Sequence, residues 1–153
     1  IMIEVREGNV ITAVLSGECD LMLHITNGQQ VMGSGVAKEV RERIPSAYDN
    51  YMTKPKNKVF VTHSDDYKCF NLSAQQYYGY EKKRYISYKA LCQCLMLLGE
   101  DYDFLLQDHF EKGELTIAIP YLMGSDRAGG DWETVCEILE AFLGHHKIVA
   151  YKL

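Results

Sequence analysis

Apolar and polar residues follow two different patterns along the chain. Short, mostly apolar runs are typical of buried β-strands, whereas apolar residues that repeat every three or four positions are typical of amphipathic helices. The runs predict strands at residues 1–6, 19–26, 58–63, 67–73, 114–122 and 147–153. The helical repeats predict helices at residues 35–44, 45–53, 87–100 and 131–143. This alternation predicts an α/β fold: a three-layer α/β/α sandwich whose helices flank a mixed central sheet.

The composition is that of an ordinary globular protein. A chain of 153 residues, 47% of them apolar and 24% charged, is long enough to bury a core, so we expect a single domain over residues 1–153. No run approaches the roughly 18 apolar residues that a membrane span requires, and the N-terminal stretch does not resemble a signal peptide. The five cysteines form no C-x-x-C pair, which favours reduced thiols in a cytosolic protein. We therefore expect a cytoplasmic monomer that does not bind membranes.

Two glycine-rich turns connect a predicted strand to a predicted helix. We call residues 27–36 (NGQQVMGSGV) the first glycine loop and residues 123–130 (MGSDRAGG) the second glycine loop. Backbone N–H groups in such turns, together with those of the following helix, form a concave anion site, and two such turns can enclose a diphosphate. Neither loop matches the P-loop or the G-x-G-x-x-G pattern. With a net charge of −5, the chain offers no broad basic surface for nucleic acid, so local groups have to attract the anion.

The same residues carry a resemblance to a known family. The segments EGNVIT (7–12), HITN (24–27), GSGVA (33–37) and PYLMGSDRAGGDWE (120–133), with NLSAQQYYGY (71–80), resemble those of macro domains, the ADP-ribose-binding α/β/α module. They are most similar to the branch of the yeast-type ADP-ribose 1''-phosphate phosphatase and its bacterial and phage relatives. The resemblance covers almost the whole chain, and it implies ADP-ribose or its 1''-phosphate as ligand.

The resemblance also implies positions for ligand contacts. Asn9, followed by Val10, stands where the family usually has an aspartate that accepts from the adenine amino group. One side of the diphosphate would be lined by Gly33, Ser34, Gly35 and Val36. The other side, and the approach to the distal ribose, would be lined by Gly124, Ser125, Asp126, Arg127 and Ala128. Asn27 matches the asparagine that contacts the distal ribose, and one of Tyr77, Tyr78 and Tyr80 could stack on adenine or ribose.

The chain departs from the family at two catalytic positions. Family members that release ADP-ribose from acidic side chains have an aspartate where this chain has Ala37, and the glycohydrolase lysine is missing from residues 72–75. Candidate catalytic residues for hydrolysis of a 1''-phosphate are therefore His24 for proton transfer, Asn27, and Asp131 or Asp126 to position water. His24 is also compatible with a core histidine, and Asp131 with a helix N-cap.

Three functions follow from these residues. The first is a phosphatase that converts ADP-ribose 1''-phosphate to ADP-ribose. The second is a non-catalytic module that binds free or attached ADP-ribose, and the third is a hydrolase acting on ADP-ribosylated protein or nucleic acid. We expect no cofactor and no metal site, because His145 and His146 have no third ligand at a suitable spacing and His109 does not supply one.

Overall fold

The computed structural model of the protein describes residues 3–153 and contains one mixed β-sheet. Its strands are β1 (Glu4–Glu7), β2 (Leu21–Asn27), β3 (Val61–His63), β4 (Cys69–Gln75), β5 (Thr116–Pro120) and β6 (Lys147–Lys152). Their order across the sheet is β1-β6-β5-β2-β4-β3. All neighbours pair in parallel except the edge strand β3, which is antiparallel to β4. The central strand β2 is buried on both faces, which explains its unbroken apolar run.

Helices cover both faces of the sheet. They are α1 (Val10–Leu15), α2 (Gly35–Arg43), α3 (Pro45–Met52), α4 (Tyr88–Leu97), α5 (Asp103–Phe110) and α6 (Trp132–Leu143), with a π-helical turn (Leu98–Tyr102) between α4 and α5. One core cluster packs the apolar sides of α4, α5 and α6 on the sheet, and a second packs α1, α2 and α3 on the opposite face. The predicted three-layer α/β/α sandwich with a mixed sheet is therefore confirmed.

The predicted elements differ from the observed ones mainly at their ends. The first predicted strand, residues 1–6, begins in residues that the structure does not describe. The observed β1 ends one residue later than predicted, at Glu7. β3 is shorter than predicted, and β4 runs on to Gln75. Two helices were not predicted. In α1, Val10, Ile11, Ala13 and Val14 are buried but the apolar Leu15 is exposed, so its apolar residues show no amphipathic repeat. In α5, Phe104 is 86% exposed, so the apolar residues of that helix do not mark the core.

The arrangement of the strands determines where a ligand site can form. β2, β4 and β5 are parallel neighbours, so their carboxyl ends lie at the same edge of the sheet. The two glycine loops follow β2 and β5 at that edge, which is where α/β sheets bind ligands. None of the helices in residues 3–153 is long and apolar enough to cross a membrane. All five cysteines are free, four of them buried and Cys92 half-buried.

Candidate functional site

The side chain of Asn27 holds the first glycine loop in place. Its Nδ2 donates to the Val31 carbonyl (2.8 Å), and its Oδ1 accepts from the backbone N–H groups of Gln29 (3.0 Å) and Val31 (3.3 Å). The buried Tyr51 hydroxyl lies within hydrogen-bond distance of the backbone oxygen and of Oδ1 of Asn27. Burial raises the pKa of Tyr51 to about 12, so its hydroxyl keeps the proton that it donates. These bonds use the polar atoms of the Asn27 amide within the protein.

His24 lies beneath the same loop and is only 2% exposed. Its Nε2 is 2.6 Å from Oδ1 of Asn71, whose amide nitrogen donates to the Ala47 carbonyl and to Thr62. Burial lowers the pKa of His24 to about 4, although the hydrogen bond to Asn71 opposes that shift. The imidazole is therefore neutral near pH 7 and enclosed by protein, and these surroundings do not favour the proton-transfer role predicted for it.

The part of the first loop that meets α2 leaves its backbone N–H groups unpaired. Within residues 3–153, the N–H groups of residues 33–37 donate to no acceptor. Ser34 is the N-cap of α2, yet its hydroxyl makes no capping bond to the helix. Unpaired N–H groups at a helix N-terminus attract anions. The predicted contact residues Gly33, Ser34, Gly35 and Val36 thus supply backbone donors at this end of the sheet.

Backbone contacts hold the second glycine loop. The Ala128 carbonyl accepts from the N–H groups of Tyr85 (2.7 Å) and Ile86 (3.1 Å), and the Gly130 N–H donates to the Gly124 carbonyl (2.9 Å). Gly129 has φ +72°, and a Cβ at this position would lie 2.2 Å from the Lys83 carbonyl oxygen. The N–H groups of residues 126–128 find no acceptor within residues 3–153. The hydroxyl of Ser125, another predicted contact residue, is buried and without a partner among the same residues.

Arg127 connects the two loops. Its Nη1 lies 3.4 Å from the Ser34 hydroxyl and 3.2 Å from the Tyr80 hydroxyl, and its guanidinium stacks on the Tyr80 ring with Cζ 4.5 Å from the centroid. The loops therefore converge, as the sequence predicts. On either side of this contact lie two cavities of about 360 Å³ each.

We call these two spaces the loop cavity and the distal cavity. The loop cavity lies between the glycine loops above His24, and its walls include Ser34, Gly35, Val36, Gly124, Asp126 and Ala128. The distal cavity lies beyond the Ser34–Arg127 contact, and its walls include Asn27, Gly33, Gln75, Tyr78, Tyr80 and Tyr85. Five residues belong to both: Ser34, Ala37, Gln75, Arg127 and Ala128. An elongated ligand with an anionic middle would fit across them.

The distal cavity contains side chains that were not predicted to contact ligand, or were predicted only as one of three alternative tyrosines. Gln75 ends β4, and Tyr78, Tyr80 and Tyr85 follow it in a segment that folds back onto the second glycine loop. Tyr77 points elsewhere, is 57% exposed and lines neither cavity. The strand-end motif NLSAQQYYGY was the available signal, but it could not separate these tyrosines because the chain has no regular period there.

Asn9 and Val10 lie outside both cavities. Asn9 caps α1, with Oδ1 accepting from the N–H groups of Ile11 (2.9 Å) and Thr12 (3.0 Å), and Val10 is buried in the core. The Nδ2 of Asn9 donates to the Glu39 carboxylate at 2.9 and 3.1 Å. An aspartate at position 9 would place two carboxylates in contact. Because Oδ1 already accepts from two N–H groups, the structure does not support the expected adenine contact of Asn9. The carboxylate close to this position is that of Glu39.

Asp131 also lies outside both cavities. It is exposed and caps α6, with Oδ2 accepting from the Thr134 N–H (2.9 Å) and hydroxyl (2.8 Å). Those hydrogen bonds hold the pKa of Asp131 below its usual range, so the carboxylate is ionised and engaged at the helix N-terminus. The capping interpretation accounts for the residue, and the structure does not bring it to the expected catalytic position. Asp126 is the carboxylate that lines the loop cavity.

A cluster of titratable groups lies elsewhere, at the start of β6. Oδ1 of Asp103 is 2.8 Å from Nε2 of His146 and 3.2 Å from Nε2 of His145, whereas His109 packs against Tyr67. These three groups are close enough to hold a metal ion. However, Nδ1 of His146 accepts the Leu115 N–H (3.0 Å), so the proton of the neutral ring is on Nε2 and is donated to Asp103. A metal at Nε2 would require loss of that proton.

Comparisons with known proteins identify the fold of the chain. No family model matches the chain, and none of the curated proteins matches it. A protein of unknown function from Bacteroides thetaiotaomicron is 21% identical with a TM-score of 0.71, over 100% of this chain and 99% of that one. The macrodomain of Thermus aquaticus DarG is 17% identical with a TM-score of 0.65, over 99% of both chains.

A third solved structure contains a ligand. It is Thermosipho africanus DarTG in complex with ADP-ribose, which is 17% identical with a TM-score of 0.66 over 96% of this chain and 40% of that one. At these identities the likeness establishes the fold alone. The chain has the macrodomain fold, as the resemblance in the sequence implies.

Proposed function

We propose that the protein binds ADP-ribose across the loop and distal cavities. The observation that supports this is the pair of unpaired N–H sets, at residues 33–37 and 126–128, in loops joined by the Ser34–Arg127 contact. A diphosphate between the loops would receive donors from both, and the N-terminus of α2 adds a partial positive charge. The complex of the similarly folded DarTG with ADP-ribose supports the same ligand class.

We further propose that the ligand has a phosphomonoester on the distal ribose and that the protein hydrolyses it. In this reaction water attacks phosphorus, the bond from phosphorus to the 1''-oxygen breaks, inorganic phosphate leaves, and the ribose oxygen takes up a proton. We assign the acceptance of the proton of the attacking water to Asp126, the carboxylate that lines the loop cavity next to Arg127. Backbone N–H groups and Arg127 would stabilise the phosphoryl oxygens.

A binding module without chemistry is the second candidate. Ala37 lines both cavities where family hydrolases have an aspartate, and Gln75, not lysine, ends β4. Neither of those two de-ADP-ribosylation chemistries is supported by the residues present. Hydrolysis of ADP-ribosylated protein or nucleic acid would therefore need a different set of groups.

Calorimetry and phosphorus NMR would separate these functions. Wild-type protein should bind ADP-ribose, and with ADP-ribose 1''-phosphate it should release inorganic phosphate without added metal. Asp126→Asn should abolish phosphate release by 100-fold or more, on the order expected for a missing general base, while ADP-ribose binding changes less than about threefold. Binding without phosphate release by the wild type would leave the second candidate, and no binding of ADP-ribose would refute both.

A further inference from the structure

Arg127 lies where three cavities meet. Besides the loop cavity and the distal cavity, it lines a groove of about 490 Å³ that we call the basic groove, formed by residues 79–84 with Asp126, Arg127 and Gly129. Among the described residues that line the loop and distal cavities, Arg127 is the one permanent cation. An anionic group in the distal cavity would therefore meet this guanidinium and no other.

Tyr80 determines where that guanidinium lies. The Arg127 side chain stacks on the Tyr80 ring and donates through Nη1 to the Tyr80 and Ser34 hydroxyls. Its Nη2 and Nε have no acceptor within residues 3–153, so two nitrogens of the planar group remain available. A guanidinium with free donors matches the oxygens of a phosphate group in a bidentate arrangement.

The charge distribution favours a phosphate at the distal end of the ligand. The diphosphate between the loops has backbone N–H donors on both sides. A phosphomonoester adds about −1.5 to −2 charge at neutral pH, and the distal cavity has Arg127 for it. The adjoining basic groove adds Lys82, Lys83 and Arg84 against the carboxylates of Glu81 and Asp126, in a protein of net charge −5.

We infer that Tyr80 is a positioning residue that holds Arg127 towards the distal cavity, so that the site selects ADP-ribose derivatives with a distal phosphomonoester over ADP-ribose itself. This inference rests on the proposed binding of ADP-ribose. Tyr80 is 77% exposed. Outside its own loop, Tyr80 contacts Arg127 within the described residues, so substitution of Tyr80 should not disturb the core.

The test compares two probes by calorimetry: ADP-ribose, and its 1''-phosphonate analogue, in which a methylene replaces the bridging oxygen and prevents hydrolysis. Wild-type protein should bind the phosphonate about tenfold more tightly, the size expected for one charge-assisted hydrogen-bonded contact. Arg127→Met should abolish this preference, so that the variant binds the two probes with similar affinity. Tyr80→Leu should remove most of the preference, and Tyr80→Phe, which keeps the stacking ring, should restore it to within about threefold of wild type.

Tyr77→Leu is the matched control, because Tyr77 is an exposed tyrosine in the same segment that lines none of the three cavities. It should leave the preference unchanged. Equal binding of both probes by the wild type, or an unchanged preference in Tyr80→Leu, would overturn the inference. If Arg127→Met weakens both probes equally, Arg127 serves the diphosphate and the inference is also wrong. If the wild type binds neither probe, the proposed function itself fails.

Discussion

The first and second glycine loops both connect a parallel strand to a helix, but different atoms hold them in place. In the first loop, the side chains of Asn27 and Tyr51 make the supporting hydrogen bonds, and the backbone N–H groups of residues 33–37 stay unpaired. In the second loop, backbone atoms make the supporting contacts through Ala128 and Gly129, and the side chains of Asp126 and Arg127 line the cavities.

This difference divides the polar residues of the site into those that support the loops and those that can contact a ligand. The polar residues on the side of the first loop that suggest catalysis are His24 in β2 and Asn27 at the start of that loop, and both are almost fully buried (2% and 8% exposed) and hydrogen-bonded within the protein. In the second loop, Asp126 and Arg127 line the cavities, whereas the Ser125 hydroxyl is buried. A substitution in the first loop should therefore act on stability and on ligand affinity together, whereas a side-chain substitution in the second loop should act on the ligand alone.

The largest effect is expected where the backbone of the second loop is most constrained. Gly129→Ala combines a left-handed backbone with a Cβ that would lie 2.2 Å from the Lys83 carbonyl oxygen. We expect a loss of about 2–5 kcal/mol in the free energy of unfolding and at least about tenfold weaker ADP-ribose binding. Urea unfolding and calorimetry measure the two quantities.

Gly35→Ala is the control in the first loop. Gly35 has φ +58°, but an added Cβ would meet no atom within 4 Å. Only the backbone cost of about 1–2 kcal/mol should remain. Equal losses in the two alanine variants would contradict the idea that close packing fixes the second loop.

A second effect concerns pH and the support beneath the first loop. The folded pKa of His24 is about 4, below its ordinary value of 6.5, so between these pH values the unfolded chain binds a proton that the folded protein does not. The contribution of neutral His24 to the free energy of unfolding is complete above about pH 6.5. It is lost as the pH falls towards 4, a loss on the order of 3 kcal/mol.

Urea unfolding of the wild type at several pH values between 4 and 7, compared with His24→Gln, measures this contribution. The variant should be less stable at pH 7 but should lose less stability on acidification. Parallel profiles for the two proteins would show that His24 does not stay neutral in the folded state, and the catalytic role would then regain support.

The smallest effect on stability is expected from Asn27→Ala. Removing this amide leaves the Val31 carbonyl and the Gln29 N–H without a partner, at about 1–3 kcal/mol, whereas the Tyr51 hydroxyl keeps the backbone oxygen of residue 27. Binding of ADP-ribose should weaken about tenfold, because residues 33–37 lose their fixed position. Thermal unfolding and calorimetry give both numbers.

Asn50→Ala is the matched control for that variant. The Asn50 amide also donates to a main-chain oxygen, that of His63 (2.8 Å), but it lies away from the loop and distal cavities. It should lower stability to a similar extent and leave ADP-ribose affinity unchanged. A similar loss of affinity in both variants would mean that Asn27 acts only through overall stability.

The hydrophobic pattern of the sequence predicted most of the sheet and four of the helices. It did so because burial of one face imposes a regular spacing of apolar residues that is visible along the chain. It did not predict α1, because five of the six residues of that helix are apolar and show no amphipathic repeat, nor α5, whose Phe104 is exposed. The glycine loops were recognised because glycine between a strand and a helix permits a tight turn whose backbone N–H groups can face an anion. The roles of Tyr78, Tyr80 and Gln75 depend on how residues 76–85 fold back, and no local pattern encodes that path.

The sequence by itself determined the fold class and the two loops that would face each other, because strand pairing brings the carboxyl ends of parallel strands to one edge. Only the tertiary structure decided which polar side chains face the ligand space. His24, Asn27, Asp126 and Asp131 are equivalent as candidates in the sequence, but burial neutralises His24, loop hydrogen bonds use Asn27, and a helix end engages Asp131. Asp126 and Arg127 remain at the cavities because the backbone, and not their side chains, holds the second glycine loop.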